Sequence, residues 1–180
     1  VTPGWHAGTT AVVAVLVEDQ GVTKWLLANL GDSRIYRITE GRLEQISVDH
    51  SVVQELIDAG EITAEEAAVH PERHVITRAL GSPEGIHPDF FLLPLGSVER
   101  LLLCSDGVTG MIDDAMIEEI LETVEDPRDA ADRLVRAAVA AGGRDNATAV
   151  VVDVVGLVKD ATYDSQRQLQ SLESKLGGRQ

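Results

Sequence analysis

The fold of this chain is organised around residues 100–111, which read RLLLCSDGVTGM. Three leucines and a cysteine run directly into Ser105, Asp106 and Gly107, and a short apolar run with polar boundaries predicts a strand buried on both faces. A carboxylate at the end of such a strand is costly to bury unless it is paired. Taken alone, the stretch also fits a strand that ends in an ordinary Asp-Gly turn, which is the commoner case.

The composition indicates one domain with an aliphatic core. The chain has 180 residues, of which 44% are hydrophobic and 3% aromatic, so Val, Leu, Ile and Ala must form most of the core. The formal net charge of −15 argues against nucleic-acid binding, which needs a basic face, and is compatible with divalent cations. The single cysteine, Cys104, excludes an internal disulfide and a Cys-rich zinc site, and we expect a buried thiol.

The ends of the chain carry little information about targeting. No apolar run approaches the roughly 20 residues that span a bilayer, and the start does not resemble a signal peptide. We therefore expect no membrane segment and a cytoplasmic location. The chain begins without an initiator methionine, and its first regular element starts near Gly8, so we expect a piece of a longer protein.

The first third of the sequence is rich in predicted strands. Residues 11–17, AVVAVLV, predict a buried strand, and residues 24–30, KWLLANL, predict a second strand that pairs with it as a hairpin. Residues 34–38, RIYRI, alternate like a half-exposed strand, and residues 43–46 predict another short one.

Helices and further strands follow. Ser51 is a suitable N-cap for a short helix, and Thr63 with Glu66 forms the capping box of a second one. Two longer helices are predicted after residue 111, the second starting at Pro127. The remaining strands are predicted over residues 90–95, 100–104 and 147–155.

The polarity of the sequence changes near residue 156. We assign residues 1–156 to one domain and residues 157–180 to a polar helical tail or linker. Leu169, Leu172 and Leu176 give this tail a weak helical stripe.

Three aspartates lie at the ends of predicted buried strands. Asp32 follows residues 24–30, Asp106 follows residues 100–104, and Asp145 precedes the last strand. If these strand ends meet, the carboxylates repel one another unless a counter-charge is present. Mg²⁺ and Mn²⁺ prefer carboxylate and water ligands, and two such ions about 3.5–4 Å apart can activate a water for attack on phosphorus. For each aspartate alone, a turn residue is the commoner explanation.

Other polar side chains offer weaker chemistry. His50, His70 and His74 lie in polar segments, where a solvated histidine is the expected state. Ser33 and Ser105 have no identifiable base, so no serine nucleophile is predicted.

Six motifs occur in order along residues 8–155. They are Gly8-Thr9-Thr10, Asn29-Leu30-Gly31-Asp32-Ser33-Arg34, Asp49-His50-Ser51, Ile76-Thr77-Arg78-Ala79-Leu80-Gly81, Leu103-Cys104-Ser105-Asp106-Gly107-Val108 and Gly143-Arg144-Asp145-Asn146-Ala147-Thr148. Together they closely resemble the motifs of the metal-dependent PPM (PP2C-type) serine/threonine protein phosphatases in their bacterial form.

The resemblance implies an α+β fold, a four-layer αββα sandwich of two mainly antiparallel sheets flanked by helices, with a dinuclear Mn²⁺ or Mg²⁺ centre between the sheets. By their motifs, Asp106 and Asp145 correspond to ligands of that centre and act catalytically through its water. Asp32 corresponds to a ligand of a third metal shared with Asp106. Residues 51–73 correspond to a mobile flap beside the active site. The implied chemistry is direct attack of a metal-activated water on phosphoserine or phosphothreonine.

The chain also departs from the family pattern. The family's N-terminal part carries an Arg for the phosphate, a Glu-Asp pair and an Asp-Gly-x-Gly-Gly motif whose Asp bridges two metals, and none of these occurs before Gly8. The first strands of one sheet are missing as well. We therefore expect an N-terminally incomplete domain with half of the metal shell, weak or inactive by itself.

Partners and an alternative function follow from the same resemblance. It implies phosphorylated Ser/Thr proteins as substrates, a Ser/Thr kinase as the counterpart, and a monomer. The alternative is a non-catalytic, phosphatase-like regulatory or binding module. The missing N-terminal motifs favour this alternative, whereas the presence of Asp32, Asp106 and Asp145 argues against it.

Overall fold

The computed structural model describes residues 7–82 and 87–155. The predicted tail or linker over residues 157–180, with its leucine stripe, lies outside the described residues. The elements in chain order are β1 (Ala11–Asp19), β2 (Val22–Leu30), β3 (Arg34–Thr39), β4 (Arg42–Gln45), α1 (Val52–Asp58), α2 (Ala64–Ala68), β5 (Asp89–Pro94), a 3₁₀ turn (Leu95–Ser97), β6 (Arg100–Cys104), α3 (Asp106–Thr109), α4 (Asp114–Thr123), α5 (Pro127–Ala140) and β7 (Ala149–Asp153).

The strands form two antiparallel sheets that pack face to face. One sheet has the order β1-β2-β5 and the other the order β4-β3-β6-β7. Their inner faces meet in an aliphatic core, because alternate residues of each strand point to the same face. The centre of this core is formed by Trp25, Leu27, Ile35, Val98 and Leu101. The α+β class and the two mainly antiparallel sheets are therefore confirmed.

Two helices cover the outer face of the four-stranded sheet. Apolar residues of α4 and α5 pack there on the outward-facing residues of β3 and β6, which include Tyr36 and Leu102. Among the described residues, no helix is long and apolar enough to cross a membrane. The members of this second core are Tyr36, Ile38, Leu102, Cys104, Val108, Ile112, Ile117, Ile120, Leu121, Ala130 and Leu134.

The outer face of the three-stranded sheet is open to solvent. Val13 and Val15 of β1 are 44% and 42% exposed, and Phe90 of β5 is 64% exposed. The prediction of a buried strand over residues 11–17 is therefore wrong in its burial, although the strand and its hairpin with β2 are confirmed. The reason is that β1 is an edge strand with an uncovered outer face. The described residues thus form three layers of the implied four-layer sandwich.

Strand β3 is more buried than its sequence predicts. Ile35 and Tyr36 are fully buried, which contradicts the expected half-exposed strand over residues 34–38. The cause is the position of β3 between β4 and β6, with the sheet core on one side and the helical layer on the other.

Local helix signals are confirmed. Ser51 Oγ accepts a hydrogen bond from the Gln54 amide at the start of α1, and both bonds of the Thr63–Glu66 capping box are present in α2. Pro127 stands at the start of α5 directly after its N-cap. These features depend on neighbouring residues only, which is why the sequence predicts them well.

Arg100 joins the sheet to the helical layer. Its guanidinium lies on Asp153 of the neighbouring strand, with Nε to Oδ1 at 2.6 Å and Nη2 to Oδ2 at 2.9 Å. The other donors reach carbonyls at the end of α4, where the last helical carbonyls lack partners within the helix. These are the carbonyls of Leu121 (2.5 Å), Val124 (2.7 Å) and Glu125 (2.6 Å). The arginine thereby caps the helix and pins it to the sheet.

We expect Arg100→Ala to lower the free energy of unfolding by about 3 kcal/mol, because it leaves three carbonyls at the end of α4 and the part-buried Asp153 carboxylate without this donor. Arg100→Lys should recover only part of this, since one ammonium cannot reach both groups. Arg136→Ala is the control: its ion pair with Asp132 is exposed, and the expected loss is below about 0.5 kcal/mol. Urea denaturation measures all three, and equal losses for the two alanine variants would contradict the assignment.

Candidate metal centre and substrate cleft

The register of β3 and β6 brings Asp32 and Asp106 together. These antiparallel strands pair from Ile38↔Arg100 to Arg34↔Cys104. Asp32 lies two residues before β3, and Asp106 lies two residues after β6. Because the strands run in opposite directions, continuing the ladder by two residues sets the two aspartates opposite each other. The structure therefore confirms that these strand ends meet.

Two glycines allow the turns at these strand ends to pack closely. Gly31 has a φ of +107°, and a Cβ there would collide with the side chain of Thr10. A Cβ on Gly107 would collide with the carbonyl of Asn146. Thr10 also shares a hydrogen bond with Ser33, with 2.9 Å between the hydroxyl oxygens. The start of β1 thus packs directly on the Asp32 turn.

The turn that carries Asp145 adjoins the Asp106 turn. The Ser105 amide donates to the Thr148 carbonyl (3.0 Å), and the Thr148 amide donates to Ser105 Oγ (3.0 Å). Asp145 itself is exposed, and its Oδ1 accepts a hydrogen bond from the Asn146 amide at 2.7 Å. It does not line the cleft formed at Asp32 and Asp106. The structure places Asp145 on the neighbouring turn but does not bring its side chain into that cleft.

A cleft of about 470 Å³ opens above Asp32 and Asp106. Helices α1 and α2 form one of its walls, so the segment predicted as a flap does lie beside the candidate site. Three basic side chains, Arg34, Arg73 and His74, line the same cleft. The complete lining is Asp32, Arg34, Asp49, Ser51, Val53, Gln54, Ile57, Ala64, Ala67, Ala68, Arg73, His74, Asp106, Thr109 and Gly110.

Asp32 lies in an electrostatically unfavourable position. Burial raises its pKa, and the nearby Asp106 carboxylate raises it further, with a smaller effect from Asp49. Arg34 lowers the pKa of Asp32 only slightly, because its guanidinium is paired with Asp49. Its Nε lies 3.0 Å from both carboxylate oxygens of Asp49, and its Nη2 lies 2.8 Å from Oδ2. Among the described residues, Asp32 therefore has no ion-pair partner, although Arg73 and His74 line the same cleft.

This donor set partly fits a hard divalent cation. Asp32 and Asp106 offer carboxylate oxygens on a shared wall, and a cation between them would relieve the repulsion that raises the pKa of Asp32. Within residues 7–82 and 87–155, however, no group of three or more His, Cys, Asp or Glu side chains could by itself hold a metal ion. The described cleft would therefore offer two carboxylates to a cation, and Asp145 lies on the adjoining turn.

The predictions for the other candidate residues are partly confirmed and partly wrong. Cys104 is 2% exposed, and burial raises the pKa of its thiol to about 12, which confirms a core residue. His74 is exposed, as expected. His50 is only 4% exposed, so the prediction of a solvated histidine is wrong. Its burial arises from contacts with residues far away in sequence, and the polar residues around it gave no signal of them.

Comparison with known proteins shows which family this chain belongs to. A family model described as Protein phosphatase 2C matches residues 2–56. The serine/threonine phosphatase Stp of Listeria welshimeri is 39% identical over 146 residues, covering 81% of this chain and 56% of that protein.

Solved structures give the same result. The serine/threonine phosphatase Stp1 from Staphylococcus aureus superposes with a TM-score of 0.75 at 38% identity, covering 83% of this chain and 57% of that one. The catalytic domain of the phosphatase PstP, crystallised with two manganese ions, gives a TM-score of 0.70 at 36% identity, covering 83% and 60%. The chain therefore spans somewhat more than half the length of these relatives, and the resemblance drawn from the six motifs is confirmed.

We expect Asp32→Asn to raise the free energy of unfolding of the chelator-treated chain at pH 7. The pKa of Asp32 is raised in the folded state, so its ionised form favours unfolding at neutral pH, whereas the neutral amide does not. The gain should shrink as the pH falls toward about 3, below the ordinary aspartate pKa of about 3.9, where the carboxyl is mostly protonated in both states. Urea denaturation with EDTA at both pH values measures it. A variant less stable than the parent at pH 7, or a gain independent of pH, would contradict the assignment.

Proposed function

This chain is homologous to the PPM (PP2C-type) phosphatases of bacteria, and from that premise we propose that it forms the C-terminal part of a metal-dependent protein serine/threonine phosphatase domain. The observation that carries the proposal is the β3–β6 register, which sets the carboxylates of Asp32 and Asp106 opposite each other on the wall of a cleft. The activity proposed for the whole protein is hydrolysis of phosphoserine and phosphothreonine in a bacterial cytoplasm, opposing Ser/Thr kinases.

The roles proposed for the residues come from the family resemblance. Asp106 and Asp145 would bind the dinuclear Mn²⁺ or Mg²⁺ centre through carboxylate oxygens, and Asp32 would share a third ion with Asp106. When bound, such an ion supplies the positive charge that activates a water and neutralises the phosphoryl oxygens. Arg73 and His74, on the segment after α2, give the cleft basic groups that can attract a phosphate or an acidic residue of a substrate protein. Residues 51–73 would contact the substrate as a flap.

The metal proposal draws independent support from the energetics of the fold. Burying Asp32 near Asp106 costs stability, as the raised pKa of Asp32 shows, and Arg34, the cation that lowers this pKa, is already paired with Asp49. Side chains that destabilise a fold are retained where function needs them. Carboxylates that serve as metal ligands, in the absence of their cation, fit this description better than turn residues do.

A second candidate is a non-catalytic, phosphatase-like regulatory or binding module. It is favoured by the lack, among the described residues, of a group of three metal-binding side chains. The gene sequence upstream of Val1 separates the two: an in-frame Asp-Gly-x-Gly-Gly motif favours the enzyme, and a start codon at this point favours the module.

We expect Asp106→Asn and Asp145→Asn, in the phosphatase that contains this chain, to reduce Mn²⁺-dependent hydrolysis of p-nitrophenyl phosphate by at least about 100-fold. Each change removes a proposed ligand charge while keeping the shape of the side chain. Asp132→Asn on α5 is the matched control, because its pair with Arg136 is exposed and outside the cleft. Unchanged turnover in either ligand variant would overturn the corresponding metal assignment.

The 180 residues alone should hydrolyse p-nitrophenyl phosphate with Mn²⁺ at a small fraction of the rate of the longer enzyme. The reason is that the motif expected to bridge two metals is not present in them. Steady-state rates at equal protein concentration test this, and a full rate from the 180-residue chain would refute the expectation.

A further inference from the structure

We propose that His50, held by Asp89, is a positioning residue that fixes the Gly31–Asp32 turn and thereby the direction of the Asp32 carboxylate. The inference rests on the proposed function only where it concerns Mn²⁺. Neither residue touches the cleft, since His50 is buried behind it and Asp89 begins β5.

Both polar backbone groups of Gly31, its N–H and its carbonyl, form hydrogen bonds with His50. The Gly31 amide donates to His50 Nδ1 at 3.1 Å, and the His50 amide donates to the Gly31 carbonyl at 3.0 Å. Asn29 Nδ2 also donates to the Gly31 carbonyl, at 3.2 Å. Because Gly31 takes a φ that side chains rarely adopt, the turn needs such fixed partners to keep one conformation. Asp32 is the next residue, so these hydrogen bonds set where its side chain starts.

The same contacts determine the tautomer of His50. A backbone N–H can only donate, so Nδ1 must be the acceptor and Nε2 must carry the proton. Nε2 lies 3.1 Å from Oδ2 of Asp89, to which it donates. That hydrogen bond is the main reason why the pKa of Asp89 is lowered, with a smaller effect of Arg78. An aspartate that orients an imidazole, whose other nitrogen binds the functional group, is the usual way to fix a histidine.

Arg78, on the segment that follows residues 51–73, also contacts His50 and Asp89. Its Nη1 lies 3.1 Å from both Asp89 Oδ1 and His50 Nε2. Because Nε2 is protonated, the guanidinium donates to Asp89, and its charge keeps that carboxylate ionised. The His50 carbonyl also accepts the Thr77 amide at 2.8 Å. Residues of three motifs, around Gly31, His50 and Arg78, therefore meet at one point behind Asp32.

A histidine with a purely structural role would fill space and form hydrogen bonds through both ring nitrogens, but it would not affect the direction of the Asp32 side chain. Two substitutions distinguish this role from the proposed positioning role. In His50→Asn, Oδ1 occupies nearly the place of Nδ1, so the acceptor for the Gly31 amide is kept and the contact with Asp89 is lost. In His50→Gln, the longer side chain keeps a donor toward Asp89 and leaves the Gly31 amide without its acceptor.

The experiment uses the full 180-residue chain, with amide hydrogen exchange at Gly31 measured by NMR without metal and Mn²⁺ affinity measured by calorimetry. We expect His50→Gln to lower Gly31 protection and Mn²⁺ affinity by at least about tenfold, with His50→Asn within about threefold of the parent. Asp89→Ala should lower both in the same direction. Its matched control is Asp19→Ala, an equally exposed aspartate on the same sheet that also pairs with a cation, Lys24.

Equal Gly31 protection in the Asn and Gln variants would overturn the proposal, and so would equal effects of Asp89→Ala and Asp19→Ala. If His50→Gln does not fold, the Asp89 and Asp19 pair decides, because both side chains are substantially exposed. If the parent chain binds no Mn²⁺, the metal assignment in the proposed function fails, whereas Gly31 protection still decides the role of His50.

Discussion

The pairing of β3 with β6 is the constraint on which the rest of the structure depends. These are the two central strands of the four-stranded sheet, and each buries one face in the core between the sheets and the other under the helices. Moving the register by one residue would exchange those faces, so both cores hold it in place. The same register sets Asp32 opposite Asp106. The hydrophobic packing of the domain and the geometry of its candidate site are therefore fixed together.

The sequence predicts those parts of the fold that depend on neighbouring residues. The caps at Ser51 and Thr63 and the start of α5 at Pro127 involve contacts within a few positions, and all are confirmed. Strand existence was also predicted well, because apolar runs between turns are local signals. Burial was predicted poorly for residues 11–17 and 34–38. Whether a strand lies at the edge or in the centre depends on partners that are distant in sequence.

The candidate site shows the same division. Asp32 and Asp106, which line one cleft, could be named as candidates because strand ends and motif resemblance mark them in the sequence itself. The buried position of His50 could not be identified, because it is created by Gly31, Asp89 and Arg78, which are 19 to 39 residues away along the chain. The exposed position of Asp145 also depends on how a turn packs beside a neighbouring strand. Charged residues can be located in the sequence itself. The contacts that surround them involve residues distant along the chain, so they become visible only in the folded structure.

The open face of the three-stranded sheet affects the thermodynamics of the whole chain. Side chains such as Val13, Phe90 and Leu92 are already in contact with water in the folded state, so unfolding hydrates less new apolar surface per residue than in a domain covered on all sides. We therefore expect a small heat capacity change and a small denaturant m-value of unfolding for a chain of this length. Any layer that covers this face stabilises the fold by mass action, and its association carries a negative heat capacity change.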